Sequence, residues 1–308
     1  MTTIPATPML NPAPVEITVE TPAQRLVRKF VANRLALVGL IIFVLIALAA
    51  ILAPLIAPQN PYDLAVLDIM DGSLAPGELA GDGRPFLLGS DEQGRDMLSS
   101  ILYGLRISIG VGVGSTVIAL TIGLALGLFA AYSGGWRDAL VMRLVDLQLG
   151  FPPILIALIL LAILGRGVDK VMIALVALQW AYYARTVRGN ALVERRKEYI
   201  EAARCLGLPY SRIVFGHLMP NCLPPLIVVA TMQVAHAIAL EATLSFLGVG
   251  VPVTEPSLGM LIANGFDFMM SGRYWVSFFP GITLLITVVS INLVGDHLRD
   301  ILNPRLQK

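Results

Sequence analysis

The chain has 308 residues, of which 56% are hydrophobic and only 14% charged, and its mean hydropathy is +0.77. That excludes a water-soluble globular domain, in which about a quarter of the residues are charged. With 22 Lys and Arg against 21 Asp and Glu the net charge is +1, too little to attract a nucleic-acid backbone. Two cysteines and three dispersed histidines supply neither a disulfide framework nor a zinc site, so no metal ligands and no resident cofactor are expected.

Residues 1–24, with Pro5, Pro8, Pro12, Pro14 and Pro22, read as a disordered tail ahead of a membrane domain over 25–308. Residues 35–57 form a 23-residue run without a charge, and about 20 suffice to cross ~30 Å of hydrocarbon. The run is too long, and begins too late, for a cleaved signal segment. Further apolar runs at 107–132, 143–164, 171–187, 223–247 and 276–295 bring the expected spans to six, without the alternation a β-barrel needs. The fold class read from this is all-α and polytopic.

Between the first two runs, residues 58–106 hold eight acidic residues. Met97, Leu98, Ile101 and Leu102 recur there at helical spacing, an amphipathic lead into the second span. Within that span Gly110, Gly112 and Gly114 miss the dinucleotide-binding spacing, and with Gly123 and Gly127 they read as close helix packing. Arg143, Asp146 and Gln148 precede Phe151, Pro152 and Pro153 in the third run. They belong at its aqueous end, with Asp146 paired to Arg143 and a kink at the prolines. A stretch at 257–270, with Leu258, Leu261, Ile262, Gly265, Phe266 and Met269 on one face, is expected to lie on the outer surface or plug its mouth.

Sixteen of the 22 Lys and Arg fall on the side of the chain termini, which places both termini in the cytoplasm. The loop at 190–221 is on that side. From Glu194 to Leu206 its sequence puts Tyr199, Ala202, Ala203 and Leu206 on one helical face, with Arg195, Arg196, Lys197, Arg204 and Arg212 around it. Gly207, followed by Pro209, stops that helix, and Ser211 can cap a second one running to about Leu218. The product is helix, glycine corner, helix. It fits either a docking element for a partner or a basic loop resting on anionic headgroups.

Glu241 and His236 are the polar residues deep in the fifth run. Glu241 either lines a passage or makes an interfacial hydrogen bond that fixes its helix; His236 is on a different face, passage-lining, packed or facing water. Asn292, Asp296, Arg299 and Asp300 either close the inner end against the loop or are solvated. No GxxxxGK[ST] occurs, so the chain has no phosphate-cradling loop. An intramembrane hydrolase fits poorly, because Ser245 and His236 are about 13.5 Å apart along one helix. An ion-coupled secondary transporter would carry carboxylates at the bilayer middle and an internal repeat, and neither is present.

EAARCLG at 201–207, with His217, Leu218, Met219, Pro220 and Asn221 after it, resembles the coupling loop of ABC importer permeases in its dipeptide, oligopeptide and nickel form. GSDEQGRD at 89–96, YGLRIS at 103–108, EATLSFLGVG at 241–250 and NLVGDHLRDILNPR at 292–305 are similar to the same subfamily, so the likeness extends from about residue 25 onward. Leu258 departs from it, standing where relatives usually carry Trp. The resemblance implies a type I ABC importer permease whose loop docks on a separate ATPase through Glu201, Ala202, Ala203 and Gly207, with Glu198 and Arg204 adjoining. It also implies two ATPase subunits that consume the ATP, a related second permease, an extracytoplasmic binding protein, lipid around the spans and no catalytic residue in this chain. The implied cargo is a di- or oligopeptide, with a nickel chelate or glutathione as alternatives.

Overall fold

A computed structural model describes residues 22–63 and 67–302. The expected tail lies outside the described residues up to position 21, and its last three residues open helix α1 (Pro22–Ala32). Asn33 separates α1 from α2 (Arg34–Ile51), which it caps by accepting from the Leu35 and Ala36 amides at 3.0 and 3.2 Å. Helix α2 stops at Leu52 and a single turn, α3 (Ala53–Ile56), follows, so the first run is not one helix over 35–57.

The segment after α3 is held by the GSDEQGRD stretch. Asp91 accepts from the Gln93 and Arg95 amides at 2.9 and 3.0 Å and pairs with Arg95 Nε at 2.6 Å. Both side chains are buried, Arg95 at 1% exposure. Trp275 Nε1 donates to the Ser90 carbonyl at 3.2 Å, which ties the segment to the last helix. Asp96 then caps α4 (Met97–Ser133) by accepting from the Ser99 amide at 2.7 Å.

Helix α4 runs 37 residues, about 55 Å, so the expected amphipathic lead and second span are one rod. The third run is not a kinked helix but two, α5 (Gly135–Leu149) and α6 (Pro153–Leu164), meeting at 92°. Neither Pro152 nor Pro153 can donate an amide, and the residue before a proline is pushed out of helical geometry. Gln148 satisfies backbone at the corner, donating from Nε2 to the Leu178 carbonyl at 3.0 Å and to the Ala177 carbonyl. Asp146 pairs with Arg185 of α7 (Val168–Glu194), not with Arg143. A neighbouring helix offers the closer cation.

After α8 (Glu198–Cys205) and α9 (Tyr210–Ile213) come α10 (Met219–Phe246), α11 (Leu258–Phe266) and α12 (Trp275–Leu302). Among the described residues four helical stretches are long and apolar enough to cross a bilayer: Arg34–Ile51, Met97–Ser133, Tyr210–Phe246 and Trp275–Leu302. The bent α5 and α6 make a fifth if counted as one broken span. Helix α7, where the run at 171–187 falls, is 27 residues long but too polar to qualify, with Gln179, Arg185 and Arg188 in its length.

Helix α4 packs along α7 and α10, and α12 bridges α10, α11 and α2. Small residues make the contacts. A Cβ on Gly123 would sit 2.6 Å from the Trp180 carbonyl oxygen, and one on Gly127 2.7 Å from that of Ala184. Gly112 meets Ile238 in the same way, whereas Gly110 faces open space. Large residues such as Leu45, Ile163 and Leu285 point outward, as they do where lipid rather than water surrounds the bundle. Helix α11 does not present one apolar face to the outside. Leu258, Leu261 and Gly265 are buried, and Phe266 and Met269 are exposed. Leu258 packs with Met97, Ile101, Leu105 and Trp275, so the core absorbs the residue that departs from the family pattern.

Candidate functional site: the coupling loop

The loop leaves α7 at a polar knot. Glu194 accepts from Lys197 Nζ at 2.6 Å and Tyr199 Oη at 2.7 Å, while Arg195 Nη1 donates to the Ala131 carbonyl at 2.6 Å, anchoring the loop to the end of α4. Burial alone would raise the Glu194 carboxyl, but the hydrogen bonds from Lys197 and Tyr199 outweigh it and hold the group below the ordinary carboxylate range. Burial and the bond to Glu194 push the Tyr199 phenol up to about 12.

Helix α8 then turns its inner face to the elbow. Ile200 and Ala203 are buried against Ile213, with Leu208 packed on them. The outward face differs from the expected one. Tyr199 and Leu206 are exposed, Leu206 at 79%, and Ala202 joins them, leaving Ala203 alone of the four to face inward. Ile200, Leu208 and Ile213 therefore hold the corner, and the sequence reading missed them. Their signal was present in the i, i+3 pair Ile200 and Ala203, overshadowed by the larger Tyr199 and Leu206.

Gly207 ends α8 with φ +69. Its amide donates to the Arg204 carbonyl at 2.9 Å and that of Leu208 to the Ala203 carbonyl at 3.2 Å, and Leu208 packs against Ala203. Those two bonds and that contact define a Schellman cap. Beyond it, α9 is capped at Pro209 rather than Ser211, and it does not end before Pro220. It passes through a π-helical turn, Val214–Leu218, into α10, so that Tyr210–Phe246 is one 37-residue rod.

Glu198, Glu201, Ala202, Arg204 and Gly207 are exposed on this elbow and Ala203 is buried in it. The loop thus brings the six residues together. Glu241 and His236 lie elsewhere, on α10. Glu241 is fully buried, its carboxylate accepting from Ser108 Oγ of α4 at 2.7 Å and from Ser245 Oγ at 2.8 Å. His236 is exposed on a different face of the helix. Asn292, Asp296, Arg299 and Asp300 are exposed, and the contact at that end is made instead by His297, missed in the sequence, whose ring meets Asn33 Nδ2 at 3.2 Å and packs on Phe30. Among the described residues no cluster of three His, Cys, Asp or Glu is placed to hold a metal.

A bundle of long apolar rods packed through small residues, with a capped polar elbow on its surface, defines a multi-pass membrane protein. The chain belongs to the family of binding-protein-dependent transport system inner membrane components, whose model matches residues 123–308, and residues 21–76 match the N-terminal transmembrane domain of oligopeptide transport permease C. It is 38% identical over 93% of its length to 93% of the di/tripeptide transport system permease protein DppC of Pseudomonas aeruginosa. It is 35% identical over 97% of its length to all of the dipeptide transport system permease protein DppC of Haemophilus influenzae. Its fold matches a solved inward-facing structure of the MetNI methionine ABC transporter with TM-score 0.55 and 23% identity, over 67% of this chain and 97% of that one. The fold is that of a type I ABC importer permease.

Proposed function

We propose that this chain is the permease subunit of an ATP-driven importer of di- and oligopeptides, forming half of the passage and leaving nucleotide hydrolysis to two separate ATPase subunits. Transport permeases of dipeptides among its relatives support the cargo. The observation that carries the coupling role is the elbow: an exposed surface of Glu198, Glu201, Ala202 and Arg204 stands on a buried Ile200, Ala203 and Ile213 base.

A push on α8 has two rigid outlets. One is α7, through Glu194 and the Arg195 anchor to α4. The other is the Tyr210–Phe246 rod, about 55 Å long, pinned to α4 near its far end by Glu241 and Ser108. Tilting a pinned rod moves the exposed face that bears His236, which we assign to the passage; we assign Glu241 to the pin rather than to cargo contact. The second permease is a related chain, an extracytoplasmic binding protein delivers cargo, α5–α6 and α7 complete six crossings, both termini are cytoplasmic, and the chain binds no cofactor.

The test is uptake of a labelled dipeptide by proteoliposomes holding the assembled importer. ATP inside the ATPase compartment is required on this reading, and Ala203→Pro abolishes uptake while the protein stays in the membrane. Uptake that survives ATP depletion and collapses with the proton gradient would replace this reading with a secondary transporter. Competition by unlabelled dipeptide, glutathione and a nickel chelate identifies the cargo.

A further inference from the structure

Two cavities meet at Tyr132, and their chemistry differs end to end. The first, about 370 Å³, lies under the coupling elbow and is lined by Arg195, Arg204, Tyr132, Tyr210, Leu208 and Ile213. The second, about 430 Å³, runs up the side of α4 and is lined almost wholly by apolar groups, among them Leu124, Leu128, Phe129, Val214 and Phe215. The α4 residues of the second cavity, Thr121, Leu124, Ala125, Leu128, Phe129 and Tyr132, recur at i, i+3, i+4, i+7, i+8 and i+11, one unbroken helical stripe.

From Thr121 to Tyr132 that stripe is about 16 Å long, and one leaflet of hydrocarbon is about 15 Å thick. Tyr132 and Tyr210 meet edge to face at 4.6 Å at its lower end, and the 72%-exposed Trp136 follows four residues after Tyr132, the kind of aromatic level that marks a membrane-water boundary. The π turn at Val214–Leu218 displaces one residue from regular helix and leaves Phe215 63% exposed on the far wall of the groove. At the boundary itself, the Arg204 guanidinium has no hydrogen-bond or ion-pair partner among the described residues, and Arg195 spends one of five donors on the Ala131 carbonyl. Glu194, next to Arg195 in the chain, is taken up by Lys197 and Tyr199.

We propose that these two cavities form one amphiphilic site for an anionic phospholipid of the leaflet on the elbow side, its phosphate between Arg195 and Arg204 and one acyl chain along the α4 stripe. The match is of charge at the boundary and of length inside it. Because Arg204 and Leu208 belong to the elbow, the bound lipid braces the coupling helix against α4. The site rests on membership in a membrane family and not on the ATPase reading.

The experiment uses the full chain in an uncharged detergent, offered dioleoyl-phosphatidylglycerol and dioleoyl-phosphatidylcholine in equal amounts, with retained lipid counted by native mass spectrometry. Two arginines at roughly fivefold each give about a 25-fold preference for phosphatidylglycerol. Arg195→Gln with Arg204→Gln removes that preference, Ala125→Trp blocks the groove and lowers retention with both arginines in place, and Arg299→Gln at the end of α12 changes neither. Circular dichroism confirms that each variant folds, and if Ala125→Trp does not, the arginine pair decides. Equal retention of the two lipids by the unaltered chain overturns the site. So does displacement by inorganic phosphate with Ala125→Trp retaining full affinity, which would mean a bare anion cleft. Loss of the lipid when the ATPases assemble would give the cleft to a protein partner, and overturns it too.

Discussion

Gly207 offers the sharpest test of how the elbow works, because conformational strain and steric crowding make opposite rankings there. Its φ of +69 is in the left-handed region, and a Cβ built on it meets nothing within 4 Å. A substitution is therefore charged for backbone strain alone. That is about 1–2 kcal/mol for Ala and up to about 3 for a β-branched residue, while Asn, which tolerates this region, costs less than Ala. The strain falls on the two bonds of the cap, from the Gly207 and Leu208 amides to Arg204 and Ala203. At a tenfold change per 1.4 kcal/mol, Gly207→Val raises the open fraction of the corner roughly 30- to 150-fold, and Gly207→Asn by less than Gly207→Ala. Hydrogen exchange at the amides of residues 203–208 reads this directly, and dipeptide uptake by the assembled importer is expected to fall in the same order. Steric crowding would rank Asn, the larger residue, below Ala; that order, or unaltered protection in Gly207→Val, refutes the reasoning.

Replacing Glu241 by Ala strips two buried hydroxyls of their acceptor, Ser108 and Ser245, at about 1–3 kcal/mol each; a lowered thermal midpoint of the purified chain is expected, with Glu241→Gln, which keeps one acceptor, falling between. Asp91→Ala leaves Arg95 buried without its counter-charge and is expected to cost about 3–5 kcal/mol, seen as loss of folded protein from the membrane fraction. The Glu194 carboxyl is held below its ordinary value, so its contribution is present above the unfolded carboxylate pKa and lost as pH falls through the folded one. Protection of the amides of residues 195–205, taken relative to intrinsic exchange, should fall as pH drops below about 4.5 in the unaltered chain and show no such step in Glu194→Gln.

Run lengths and breakers made much of this architecture legible: the apolar rods, the glycine stripe at Gly123 and Gly127, and the glycine corner are local features written in composition and spacing. The corner at Pro152 and Pro153 was visible as an interruption, but its 92° angle depends on how α5 and α6 pack on α7, which no local pattern encodes. Pairing across helices was hidden for the same reason. Asp146 has an arginine at i−3, yet it pairs with Arg185, 39 positions away. On α8 the sequence gives two candidate faces, and the smaller one is buried because Ile213 and Leu208 return to cover it. The hydrogen bond that Glu241 accepts needed Ser108, 133 residues away, to be brought alongside.

The most direct measurement is a crosslink at the exposed side of the elbow. Cys205 is exposed and Cys222 buried, so Ala202→Cys in a Cys205→Ser background presents a single reactive thiol on α8. In the assembled, transport-competent importer that thiol should capture an ATPase subunit, with a yield that changes when ATP is added. A complex that transports peptide and yet never yields an ATPase adduct from this position, nor from Leu206→Cys in the same background, contradicts the account.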